Sequence, residues 1–142
     1  MTTINKMSLE IPALSVNESF ARATLCAFAA QLDPTMDEID DIKTAVSEAV
    51  TNAVVHAECE TIRIDAELFP SSIRIIVTDT GKGIRDINRA MEPFVTTKAD
   101  AERSGMGFTV MSSFMDKLDV QSKPGQGTTI TMQKRFARRK EA

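Results

Sequence analysis

The chain has 142 residues, 42% of them hydrophobic and 26% charged, with a formal net charge of −3. That is the length of one domain with an ordinary globular composition, which excludes a wholly disordered chain and argues against a nucleic-acid-coating role. No apolar run approaches the roughly 20 residues of a membrane span, and residues 1–6 have no apolar core behind a basic start. A cytoplasmic protein with no membrane attachment and no direct nucleic-acid partner is therefore expected.

Cys26 and Cys59 lack metal-ligand neighbours and read as two reduced thiols. The charge is uneven. Lys134, Arg135, Arg138, Arg139 and Lys140 lie within the last nine residues, against Glu141 alone. The rest carries twelve basic and nineteen acidic residues, or −7. The basic tail at 134–142 is expected to be a solvated, frayed end.

In chain order, residues 7–11 alternate apolar and polar, a short strand stopped at Pro12. Ser15 and Glu18 have capping-box spacing, and Val16, Phe20, Ala23, Ala27 and Phe28 follow at helical spacing to about Leu32. Asp33-Pro34 breaks that helix. Thr35 and Glu38 form a second capping box, and Ile39, Ile42, Val46, Ala49, Ala53 and Val54 carry a second helix to about His56. The period then changes to two: Ile62, Ile64, Ala66 and Leu68, then Ile73, Ile75 and Val77, predict an antiparallel hairpin. From 79 to 107 the periodicity fails and glycines cluster, giving a long loop. Phe108, Met111, Phe114 and Met115 restore helical spacing, and 118–122 with 128–132 form a last strand pair. The expected fold is α+β, a two-layer sandwich of helices on a mixed, mainly antiparallel sheet, with residues 1–142 as a single domain.

Chemistry concentrates at a few places. Glu48, Asn52 and His56 are spaced i, i+4 and i+8, so they share one face of the second helix, opposite an apolar face. A metal at His56 is not expected, since no second histidine or cysteine is near it. Asp79-Thr80-Gly81-Lys82-Gly83 follows a strand, and an Asp there is a placed acceptor suited to an exocyclic amine. Ser104-Gly105-Met106-Gly107 opens a helix, where free N–H groups favour an anion. Lys98 and Arg103 add cations nearby, while Thr96-Thr97 and Thr128-Thr129 offer hydroxyls. Neither a P-loop nor a dinucleotide-binding glycine pattern is present.

Taken in order, the Asn-bearing helix, the D-x-G-x-G loop after a strand, the variable segment, the G-x-G helix start and the Gly-Thr-Thr strand start resemble the motif boxes of the GHKL superfamily. That superfamily binds ATP in the Bergerat fold. The stretches 17–22, 31–38, 47–53 and 102–108 resemble the sporulation anti-sigma serine kinases more closely.

The resemblance implies a role for each matching position. Asn52 would hold Mg²⁺ bridging the ATP or ADP phosphates, and Asp79, helped by Thr129, would read adenine. Gly81 and Gly83 would let backbone pass the nucleoside. Ser104 and the amides of Gly105, Met106 and Gly107 would cradle phosphates, with Thr97 and Lys98 in a mobile ATP lid at about 84–104. Glu48 would be the general base and Arg103 would reach the terminal phosphate. Glu18 and Arg22 would contact partner protein; read from the residues alone, they are an ordinary i, i+4 surface pair. The implied partners are a sigma factor, an antagonist anti-anti-sigma protein that accepts phosphate on serine, and a second copy in a homodimer. A stress-response anti-sigma kinase of the same superfamily and a nucleotide-switched binding module without turnover are the alternatives. One departure stands out: only residues 57–60 separate His56 from the next strand, where this family commonly has a longer Gly/Asn-rich turn.

Overall fold

A computed structural model of the chain describes residues 2–81, 83 and 107–137. Its elements are β1 (Asn5–Pro12), α1 (Val16–Ala29), a 3₁₀ turn (Ala30–Leu32), α2 (Met36–His56), β2 (Thr61–Phe69), β3 (Ser72–Asp79), α3 (Gly107–Phe114), β4 (Lys117–Lys123) and β5 (Gly127–Arg135). The five strands form one sheet in the order β1-β2-β3-β5-β4. The sheet was expected to be mixed but mainly antiparallel, and every described pair is antiparallel. The connections account for this. Two helices separate β1 from β2, so the chain reverses three times and β2 runs back along β1, whereas a single crossover helix, with two reversals, would leave the strands parallel. The expected helical turn near 87–91 lies outside the described residues.

The two capping signals have different outcomes. Thr35 is extended (φ −69°, ψ 165°) and its hydroxyl accepts from the Glu38 N–H at 3.1 Å, while Glu38 accepts from the Thr35 N–H at 2.8 Å. Ser15 is itself helical (φ −59°, ψ −30°) and makes no side-chain cap. Its backbone carbonyl, not its hydroxyl, takes the Glu18 N–H at 3.2 Å. A cap residue must stand outside the helical region for its side chain to turn back on the first amides.

All three helices lie on one face of the sheet. Ile62, Ile64, Ala66 and Leu68 of β2, Ile73, Ile75 and Val77 of β3, and Ile130 and Met132 of β5 are buried there. They join a core completed by Leu25 and Phe28 of α1, Ile42, Val46, Ala49 and Val50 of α2, and Phe108 and Met111 of α3. Fully burying each large aliphatic side chain contributes ~1.5–3 kcal/mol, so this face holds the register: a one-residue slip would turn the whole set outward. The other face is polar. Arg63 pairs with Asp65 at 3.0 Å and Arg74 with Glu67 at 3.3 Å, and Ser8 also donates to Asp65.

The C-terminal end departs from the expected solvated tail. Lys134 and Arg135 close β5, and Lys134 is buried. Its ammonium lies 3.0 Å from Asp41 of α2 and donates to the Phe114 carbonyl of α3 at 3.1 Å. Next along, the Ala137 N–H donates to Glu38 at 2.7 Å. One charge thus ties a strand to the two helices above it. Residues 138–142 lie outside the described residues. No helix among the described residues is long and apolar enough to cross a membrane.

Candidate functional site

Asp79 is the last residue of β3 and continues the inward set Ile73, Ile75, Val77, so the alternation that builds the core also turns its carboxylate inward. It is only 5% exposed. One carboxylate oxygen accepts the Gly81 N–H at 2.9 Å. Burial pushes the carboxyl above its ordinary range, although the backbone N–H groups of Gly81 and Thr128 pull the other way. Among the described residues no cation pairs with it. A buried carboxylate without a counter-charge is expensive to keep, and its remaining lone pairs suit a donor supplied by a ligand.

The short turn after α2 forms the wall beside Asp79. A side chain at Gly81 would place its Cβ 1.8 Å from the Ala57 carbonyl oxygen. Cys59 is half-buried next to it, donating to the Ala53 carbonyl at 3.6 Å. Burial, and then the Asp79 charge, push its thiol up. Cys59 is therefore a neighbour of the site, which its isolated place in the sequence does not signal. Gly83 rests against the Lys123 carbonyl. At both glycines the protein's own backbone occupies the space that a side chain would need.

Across the sheet, the register separates the two threonines. Asp79 pairs with Thr128, and Thr78 with Thr129. Thr128 is buried on the inner face with Asp79, while Thr129 belongs to the outward set with Thr131. The register therefore sets Thr128, and not Thr129, on the face that Asp79 shares, because paired residues on antiparallel strands project from the same face. Gly127 makes this approach possible. It has φ +83°, and a Cβ there would lie 2.1 Å from the Asp79 carbonyl oxygen.

Glu48 and Asn52 are half-buried on one side of α2, whose opposite stripe of Ala45, Val46, Ala49, Val50 and Ala53 is in the core. Glu48 reaches α3: its Oε2 lies 3.5 Å from where a Cβ on Gly107 would be. Burial pushes its carboxyl up as well. A partly desolvated carboxylate with raised proton affinity beside a glycine-rich segment has the chemistry of a general base. The structure thus brings Glu48 and Gly107 together at one place, and Asp79, Gly81, Gly127 and Thr128 at another.

Asn52 and Glu48 offer hard oxygen donors of the kind Mg²⁺ takes alongside phosphate oxygens and water. Among the described residues no three His, Cys, Asp or Glu side chains gather to hold a metal by themselves. A cation here would depend on phosphate for its remaining ligands. Thr97, Lys98, Arg103, Ser104, Gly105 and Met106, together with the lid, lie outside the described residues.

Glu18 and Arg22 are half-buried on α1. No ion pair joins them among the described residues; Arg22 donates to Ser47 of α2 at 3.2 Å, beside Glu48. Leu14, Val16 and Phe20 are exposed along the same stretch.

Residues 11–134 match a family described as Histidine kinase-like ATPase domain. The Anti-sigma F factor of Clostridium beijerinckii is 53% identical over 136 residues, covering 93% of this chain and 95% of the relative. That of Caldanaerobacter subterraneus subsp. tengcongensis is 54% identical over 137 residues, covering 94% and 96%. Among solved structures, the RsbU and RsbW domains of Rv1364c from Mycobacterium tuberculosis superpose with a TM-score of 0.67 at 21% identity, covering 93% of this chain and 32% of that one. The catalytic domain of histidine kinase ThkA gives 0.58 at 16% identity, covering 92% and 96%. These two likenesses are of fold: helices on one face of an antiparallel sheet, the α+β arrangement called the Bergerat fold. On the family match and the length and identity of its relatives, the chain belongs to the anti-sigma F factors, within the histidine kinase-like ATPase domains.

Proposed function

We propose that this chain binds and inhibits a sporulation sigma factor and, with Mg-ATP, phosphorylates a serine of an antagonist anti-anti-sigma protein. The observation that carries the kinase half is Glu48: a half-buried carboxylate, held above its ordinary pKa by burial, facing Gly107 one helical turn before Asn52. A site that only held nucleotide has no need of a carboxylate in that position.

In this reading Asp79 accepts the exocyclic amine of adenine, with Thr128 beside it. Asn52 would hold Mg²⁺, which neutralises charge on the phosphates when bound. Glu48 orients the acceptor serine and takes its proton as the serine oxygen bonds to the terminal phosphorus and the bond to ADP breaks. Such a transfer depends on positioning and charge neutralisation more than on covalent help. Arg103, Lys98, Thr97, Ser104 and the amides of Gly105 and Met106 take their phosphate roles from the family resemblance, as Glu18 and Arg22 take theirs in partner contact. The whole of 1–142 is read as one ATP-binding kinase domain, with a lid at about 84–104, working as a cytoplasmic homodimer.

The test is capture of partners from a sporulating lysate in ATP and in ADP, followed by radiolabelled ATP on the captured proteins. A sigma factor held by the chain, and label on serine of a small co-purifying protein, are expected. Sigma-factor capture that depends on nucleotide, with no protein labelled, would leave a binding switch in place of a kinase.

A further inference from the structure

Ser122, Thr128 and Asp79 stand in a row on β4, β5 and β3. Ser122 pairs in register with Thr128, and Thr128 with Asp79, so all three side chains project from the inner face. Two side-chain hydrogen bonds of Ser122 reach β5. Ser122 Oγ lies 2.9 Å from the Gly127 carbonyl oxygen and 2.8 Å from Thr128 Oγ1.

Proton directions follow from what each group can do. A carbonyl oxygen only accepts, and a serine hydroxyl has one proton, so the Ser122 proton goes to Gly127. In the contact with Thr128, Ser122 must then accept and Thr128 must donate. The Thr128 hydroxyl proton is thereby directed toward β4, away from Asp79. What Thr128 Oγ1 has left for the Asp79 side is lone pairs.

We propose that Ser122 is a positioning residue for base selection: by holding the Thr128 hydroxyl as an acceptor, it makes the base end of the site read a 6-amino purine and reject a 6-oxo purine. This inference rests on the nucleotide reading of Asp79 given above. A carboxylate and an oriented hydroxyl then present acceptors only, which match the two protons of an exocyclic amine. A 6-oxo group needs a donor, and the nearest hydroxyl has its proton turned away. The backbone enforces the arrangement, since Gly127 supplies both the carbonyl that orients Ser122 and the close approach that sets Thr128 beside Asp79.

The experiment is calorimetric titration of the full chain with ADP and with inosine diphosphate. It uses the wild type, Ser122→Ala, Ser122→Thr, Thr128→Val and the Ser122→Ala/Thr128→Val double variant. Wild type should prefer ADP. Ser122→Ala should lose about three- to ten-fold of that preference, the worth of one neutral hydrogen bond, because the freed Thr128 hydroxyl can turn and donate to the 6-oxo group. Ser122→Thr keeps an oriented hydroxyl and should keep the preference. In the Thr128→Val background, Ser122→Ala should change the ratio no further, a result that general damage to the strand would not give. An ADP preference unchanged by Ser122→Ala, or an equal loss in the Thr128→Val background, overturns the proposal. A wild type that binds neither nucleotide overturns the underlying nucleotide reading, and this inference with it.

Discussion

The Ala57 carbonyl fills the space that any side chain on Gly81 would need, 1.8 Å from an added Cβ. Backbone cannot yield as the end of a flexible side chain can. Gly81→Ala should therefore cost the fold ~1–3 kcal/mol as an overpacking change. Chemical denaturation of wild type and variant in the absence of nucleotide would measure it. An unchanged midpoint would contradict this packing role for Gly81.

Asp79→Asn should separate stability from binding. Its carboxyl is raised by burial above the ordinary 3.8, so the folded state holds the proton more tightly than the unfolded chain. A raised group favours the fold below its unfolded value, and that contribution is lost as pH rises through the folded value. The asparagine variant, which never ionises, should gain stability relative to wild type as pH rises from about that unfolded value, in thermal melts across the range. It should lose adenine nucleotide affinity by ~1–3 kcal/mol, because the amine then meets an imperfect partner in a buried site. Undiminished ADP affinity in the folded variant would contradict the adenine assignment.

The two helix starts offer a paired comparison. Thr35→Ala removes the hydroxyl that accepts the Glu38 N–H, leaves the reciprocal bond from the Thr35 backbone N–H to Glu38 in place, and should cost ~1 kcal/mol. Ser15→Ala removes a hydroxyl that caps nothing and should stay within ~0.5 kcal/mol of wild type. Equal losses in urea titration would contradict the assigned geometry.

Lys134→Met tests the tie between β5, α2 and α3. The variant leaves Asp41 and the Phe114 carbonyl without their charged partner, at an expected cost of ~1.5–3 kcal/mol. Double-mutant cycling with Asp41→Asn should recover part of that loss as a coupling energy. Simple additivity of the two variants would place Lys134 among ordinary surface charges.

Much of this architecture was legible from period alone. Ile39, Ile42, Val46, Ala49 and Ala53 fix α2, and the alternations at 62–68 and 73–77 fix two central strands. The same alternation carried more than was taken from it. Ile130 and Met132 point inward, so Thr128 must too and Thr129 cannot, yet the motif drew attention to Thr129. Other features depend on approach in three dimensions. Ser15 and Thr35 have the same capping pattern, and only the backbone angle at each tells them apart. The alternation also turns Lys134 inward after Ile130 and Met132, but nothing local shows what neutralises it there, because its partner Asp41 lies far away in sequence. Gly81 and Cys59 gain their roles from the short 57–60 turn that brings α2 back against the end of β3.

The central claim is that Glu48 makes this site a kinase, and single-turnover phosphorylation of the antagonist by wild type and Glu48→Gln tests it most directly. A binding assay for the sigma factor runs beside it. Glutamine keeps the shape and the hydrogen-bonding reach of Glu48 but cannot take a proton. ATP and sigma-factor binding should persist while transfer to the serine slows by ~10²–10⁴-fold, the usual range for a general base. The lower end is expected, because a loose phosphoryl transition state needs little early deprotonation. Transfer by Glu48→Gln at the wild-type rate would contradict the account.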